Sequence, residues 1–216
     1  MSARPRVWAM RAVAALDRAR LRGLMRRHPG LRVDPATGSA LALARYRIDP
    51  GARLHIEAGV VTERRREGVC FHVESGAEVH IGAGTWLRSD LGTVHIVAFE
   101  GARLHIGPES FLNGCHLSAK QEVVLGRRAW IGPGSRVFDS DQHDYDSERP
   151  EQSRPVHIGD HVWIASDVTV LKGVSVGAHS IVGARSLVLR DVEPHSVVAG
   201  LPATLRGRVG DRSATR

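Results

Sequence analysis

Cysteine is scarce in this chain of 216 residues: Cys70 and Cys115 are the only two, and neither belongs to a CxxC pair. A disulfide framework is therefore excluded, and two free thiols in a reducing compartment are expected. Long apolar runs are missing as well. No stretch of 18 consecutive apolar residues occurs, so no segment reads as a membrane span. The N-terminus lacks the short apolar core and small-residue cleavage site of a secretory signal, and a cytoplasmic protein is expected. Aromatic residues make up only 5%, although hydrophobic residues reach 42%. That balance excludes a bulky aromatic core and suits thin, regularly stacked strands rich in Val and Ile.

Acidic residues are almost absent from the first 33 positions, where Asp17 faces nine arginines. The whole chain carries +7, so the remainder is close to neutral. The basicity belongs to an N-terminal arm, assigned to residues 1–44, and a nucleic-acid partner is not expected. Residues 5–28 read as a helix, with Pro5 in its first turn and Pro29-Gly30 ending it. Val7, Met10, Val13, Leu21 and Leu24 fall roughly on one face, among arginines. Such a helix packs on the domain or on a neighbouring subunit, or lies on the anionic inner face of a membrane.

From about residue 45 the period changes. "GARLHI" occurs at Gly51–Ile56 and again at Gly101–Ile106, with "GAEVHI" between them at Gly76–Ile81. Residues 158–193 divide into sixes: IGDHVW, IASDVT, VLKGVS, VGAHSI, VGARSL, VLRDVE. Each six opens on Ile or Val and carries Val or Ser at its fifth position. An α-helix cannot keep one residue in six on a fixed face, because 3.6 residues per turn makes it drift. A short strand of period two followed by a corner can. Three sixes then make one triangular coil of 18 residues, and "RLHI" and "EVHI" become strands of successive coils. Ile56, Ile81 and Ile106 lie 25 apart, so the early coils need extra residues at a corner. Later coils tighten, except between Leu125 and Ile158. There Asp139–Ser153, "DSDQHDYDSERPEQS", is polar and aperiodic. It reads as a loop, taken as residues 139–155, thrown out from a rigid scaffold.

The stretch "HIGDHVWIASDVTVLKGVSVGAHSIVGARSLVLRDVEPHSVVAGLPA" at His157–Ala203, with "SFLNGCHLSA" at 110–119 and His143 in the loop, resembles the hexapeptide-repeat acyltransferases. Within that family it is similar to the sugar O-acetyltransferases, the maltose and galactoside group. The resemblance spans roughly residues 75–208. It implies an all-β fold, a left-handed parallel β-helix over 45–208 with a short N-terminal helix and a flexible tail at 209–216. It also implies a homotrimer, with active sites between neighbours and acetyl-CoA as acyl donor along the groove. By the same resemblance His143 is the general base and Asn113 its partner in the site. The cofactor contacts fall on Ser166, Ala184, Leu189 and Arg190, with Arg206 and Arg208 of the C-terminal segment on its phosphates. Gln121 stands where sugar-specific relatives carry an acid.

The residues themselves support a base in the loop. A sugar hydroxyl is protonated at neutral pH, and imidazole is the side chain that titrates nearby. Of twelve histidines, His55, His80 and His105 precede an inward Ile and so point outward, stacked on neighbouring coils. Only His143 lies in a long polar loop, among Asp139, Asp141, Asp144 and Asp146. A carboxylate on its second nitrogen would orient the ring; Asp141 is the first choice and Asp144 the second. The expected function is acetyl-CoA-dependent O-acetylation of a saccharide or glycolipid acceptor. Serine and antibiotic acetyltransferases, and a binding-only β-helix, are the alternatives. A zinc carbonic anhydrase on the same helix would need three converging histidines. His157 and His161 lack a third, and no metal is expected in the reaction.

Overall fold

The structure, a computed structural model, describes residues 4–214, with side chains from Trp8 onward. Short strands wind through three flat faces in a fixed order, making a left-handed parallel β-helix. Face I has seven strands, from Leu31–Val33 to Ser175–Val176, and includes both "RLHI" segments. Face II has eight, from Val61–Thr62 to Ala203–Arg208. Face III has seven, from Arg45–Ile48 to Leu187–Val188. Pairing between coils is parallel and in register, so Leu54, Val79 and Leu104 form one ladder and Ile56, Ile81 and Ile106 another.

The hexad register is the observed one. Ile158, Ile164, Val170, Val176, Val182 and Val188 point inward and are at most 2% exposed. Each such side chain contributes about 1.5–3 kcal/mol by burial. The fifth positions are buried too, because they fill the corners: Val162, Val168, Val174, Ser180, Ser186 and Val192. The corner serines turn their hydroxyls onto backbone. Ser186 Oγ donates to Gly183 O at 2.6 Å and accepts from Gly200 N at 3.0 Å. Gly132 shows why corners favour glycine: a Cβ there would lie 2.7 Å from the Ala165 backbone of the next coil.

The extra residues of the early coils sit where faces II and III meet. One excursion separates Val61–Thr62 from Val69–Val73, and another separates Trp86–Arg88 from Val94–Ala98. Helix α1 spans Arg4–Arg27. Its packing face differs from the expected one. Leu21 is buried, and Leu24 and Met25 lie against the first coil, whereas Met10 and Val13 are exposed; Val7's side chain lies outside the described set. The arc centred on Asp17 and Leu21 wins because Asp17 pairs with Arg64, which belongs to the first of those excursions. The β-helix also begins inside the assigned arm, since Leu31–Val33 already pairs with Arg53–Ile56. Three residues are too few to register a period. At the other end, residues 209–213 are tied down rather than loose. Val209 N donates to His195 O at 2.9 Å, Arg212 N to His179 Nδ1 at 3.0 Å and Arg212 Nε to His161 O at 3.1 Å.

Candidate active site

Residues 139–155 leave the helix where face III turns to face I, between Arg136–Phe138 and Val156–Ile158. The root is built from charge and backbone. Asp139 is fully buried and accepts three amide hydrogens, from Lys120, Gln121 and Glu122, at 2.7–2.8 Å. Burial pushes its pKa up, and the three N–H donors oppose that shift. Ser140 and Ser153 form an antiparallel bridge that closes the neck. Two ammonium groups then hold the loop down. Lys172 pairs with Asp141, and Lys120 pairs with Glu151 at 2.6 Å while donating to Gln142 O at 3.2 Å. Lys120 also lies 4.9 Å from the centre of the Phe99 ring.

These anchors settle where the two carboxylates point within one chain. The Lys172 ammonium beside Asp141 holds that carboxyl below its ordinary range, and Asp141 Oδ2 also accepts Gln152 N at 3.2 Å. Asp144 Oδ1 accepts Glu151 N at 2.6 Å. Neither carboxylate bonds to His143. The imidazole sits exposed near the loop tip and makes no hydrogen bond among the described residues. The sequence reading missed Lys120, Lys172 and Glu151. A signal existed, because Lys120 and Lys172 are the chain's only two lysines.

The remaining site residues fall on two edges of the prism. Asn113, Ser166 and Ala184 lie where face II turns to face III, each at or just after the end of a face II strand. A hydrogen-bond ladder runs down this edge: Gly134 N to Gly114 O, Asp167 N to Pro133 O and Arg185 N to Ser166 O, all at 2.8–2.9 Å. The other edge, from face III to face I, carries the His143 loop, Lys172 and the exposed pair Leu189 and Arg190. Arg190 makes no hydrogen bond or ion pair among the described residues. Arg206 and Arg208 lie on the antiparallel strand Ala203–Arg208. There Arg206 Nε donates to Ala199 O at 3.2 Å, and Arg208 donates to Ser196 Oγ at 2.9 Å and to Pro194 O at 3.1 Å. A single chain therefore keeps Asn113 and His143 apart, on opposite sides of face III.

Asn113 is only 4% exposed, and its Oδ1 is buried with no donor. A buried carbonyl without a partner costs about 1–3 kcal/mol. The adjacent Cys115 is not a nucleophile, because burial lifts its thiol pKa to about 12.

Residues 155–190 match the family described as bacterial transferase hexapeptide, six repeats. The matched residues are the later coils of the β-helix. They hold Ser166, Ala184, Leu189 and Arg190, but neither Asn113 nor His143. The chain is 32% identical over 93 residues to the galactoside O-acetyltransferase of Escherichia coli, covering 42% of this chain and 46% of that protein. It is 46% identical over 57 residues to a chloramphenicol acetyltransferase of Agrobacterium fabrum, covering 26% and 27%. The match thus spans less than half the length of these relatives. Among solved structures, the polySia-specific acetyltransferase NeuO superposes with a TM-score of 0.63 at 24% identity, over 78% of this chain and 71% of that one. That likeness is one of fold.

Proposed function

We propose that this chain is an acetyl-CoA-dependent O-acetyltransferase acting on a hydroxyl of a saccharide-type acceptor. The observation that carries the reading is the split of its candidate residues between two edges flanking face III. Two edges of one prism cannot line one groove. Two chains can, each presenting one edge to its neighbour, and a ring of such contacts closes as a trimer. In that groove His143 of one chain meets Asn113 of the next. The acceptor oxygen attacks the thioester carbonyl while the His143 imidazole takes its proton. Asn113 binds the acceptor or the developing oxyanion. Collapse of the tetrahedral species expels the coenzyme A thiolate, which regains the proton from the imidazolium. Exposed backbone at Ser166 and Ala184 pairs with pantetheine amides, beside Leu189. Arg190, Arg206 and Arg208 face the phosphates. No metal takes part.

Similarity to a galactoside O-acetyltransferase supports the sugar acceptor, while the shorter match to a chloramphenicol acetyltransferase supports an antibiotic hydroxyl as the second reading. The test is coenzyme A thiol release from acetyl-CoA against a panel of sugars, glycolipid precursors and chloramphenicol. His143→Ala should lower kcat about 10²–10⁴-fold with acetyl-CoA affinity nearly unchanged. Arg190→Ala should do the reverse. A His143→Ala enzyme keeping more than half its activity would remove the imidazole from the chemistry, and a monomer by light scattering would remove the shared groove.

A further inference from the structure

The outward face of the first coils carries a second constellation, far from the loop. Period-two alternation places His55 and Glu57 on the same side of the strand Arg53–Ile56 and its exit. Parallel register places His80 directly beside His55 on the next coil, and His105 beside His80. The His55 and His80 rings are tilted, with centroids 5.3 Å apart, and the His80 and His105 rings stack at 4.8 Å. Glu57 leans across the coil gap: one carboxylate oxygen accepts Ala83 N at 2.8 Å, and the other lies 3.0 Å from His80 Nε2. His80 Nδ1 lies 2.9 Å from His105 Nδ1. One donor atom from each of His55, Glu57 and His80 falls within 4.8 Å of the other two.

We propose that His55, Glu57 and His80 form a binding site for a divalent transition-metal ion of the zinc class, separate from the acyl-transfer groove. Two imidazoles and one carboxylate are a zinc-type donor set, with water completing the tetrahedron. Ligand atoms about 2.0–2.2 Å from such an ion lie about 3.3 Å from one another. One exposed and two half-buried side chains must adjust their rotamers to close the present spacing to that value. The carboxylate is already oriented, since the Ala83 N–H holds one oxygen and the other faces His80. The outer sphere is in place as well. His105 stands behind His80, and its Nδ1 can serve His80 as donor or acceptor. With the ion on His80 Nε2, the His80 proton moves to Nδ1 and is donated to His105 Nδ1, whose own proton shifts to Nε2. Such a partner on the second nitrogen fixes ring orientation and raises ligand basicity. The stack at the far end, His161, His179 and His195, has near-parallel rings 4.8–5.0 Å apart but no comparable convergent donor set among the described residues.

The ion would clip two successive coils together next to the N-terminal helix. Untagged full-length protein should be titrated with Co²⁺, read by the visible bands of four-coordinate cobalt, and with Zn²⁺ by calorimetry. We expect one equivalent per chain and a melting temperature that rises with metal concentration by mass action. Glu57→Gln and His80→Ala should each abolish the bands. His105→Phe keeps a stacked ring but accepts no proton, and should weaken binding about 10–100-fold. His95→Ala, on face III, should leave the titration unchanged. Acyl transfer should proceed equally in chelator, so a negative metal result leaves the proposed activity standing. Several weak equivalents, or a titration that Glu57→Gln and His80→Ala both leave intact, would overturn the site. If His80→Ala does not fold, Glu57→Gln decides alone.

Discussion

Replacing Asn113 by leucine separates catalysis from folding in a way the geometry makes quantitative. Asn113 is almost wholly buried, and its Oδ1 has no donor. That orphan costs about 1–3 kcal/mol, which leucine removes because it has no carbonyl to desolvate. Leucine is close in volume, and imperfect shape returns up to about 1.5 kcal/mol. The expected balance runs from about −0.5 to about +3 kcal/mol of stabilisation. For a chain of this size each kcal/mol moves the midpoint by about 2–4 °C. Asn113→Leu should therefore leave Tm within about 2 °C of its starting value or raise it by up to about 12 °C. Activity should move the other way: loss of one preorganised polar group at the reacting centre costs about 10²–10³ in kcat. Differential scanning calorimetry and thiol release on one preparation measure both. A Tm several degrees lower would refute the reasoning, since Oδ1 would then have a protein donor in the assembled molecule. Unchanged activity would remove Asn113 from the site.

Two half-buried histidines predict acid lability. Desolvation is the first cause holding His116 and His161 below the ordinary imidazole pKa. A base depressed in the folded state is protonated first in the unfolded chain. The stability it contributes is complete above about pH 6.5 and is lost as pH falls toward the folded pKa, at up to about 1.4 kcal/mol per pH unit for each ring. Tm should drop between pH 7 and pH 5, and His116→Gln should flatten that slope; an unaltered slope would contradict the burial. The helical arm exposes Trp8 and Leu16, 74% and 70% accessible, in an arginine-rich helix. No described helix is long and apolar enough to cross a membrane. We propose that the arm lies on anionic lipid, so the protein should sediment with phosphatidylglycerol vesicles at low salt and not with neutral ones. Trp8→Ala with Leu16→Ala should abolish sedimentation, and equal binding to both vesicle types would rule the proposal out.

The helical coils were legible in the sequence because every inward position repeats the same demand for a small aliphatic. Ile158 to Val188 could be assigned by counting alone, and so could the break at Asp139. The loop's wiring was not. Lys172 reaches Asp141 across coils, and no local spacing encodes a contact between residues 31 apart. The same holds for Asp17 and Arg64, whose pairing turned α1 onto a face that hydrophobic counting did not choose. Asn113 could be named from its motif. Its orphaned carbonyl, and its separation from His143 by the width of face III, required the coils to be built. The first coil escaped because Leu31–Val33 offers three residues of alternation, too short to stand out from an arginine-rich surrounding.

A parallel β-helix carries the stacking geometry of a fibril: register-matched strands along one axis, with unpaired amides and carbonyls at each end. Nothing in the hexads themselves limits how many coils, or how many molecules, could be added. Here the limit comes from chain direction and element type. At one end α1 packs on the first coil, and the 3-10 turn Ser39–Leu43 stands in the first circuit between the strands of faces I and III. At the other, Ala203–Arg208 runs antiparallel against Ser196–Gly200 and presents a strand of the wrong polarity for an incoming coil. The molecule thus terminates its own polymerisation. The arginine-rich arm and the C-terminal hairpin, which contribute least to the repeat, are what keep a self-templating architecture finite.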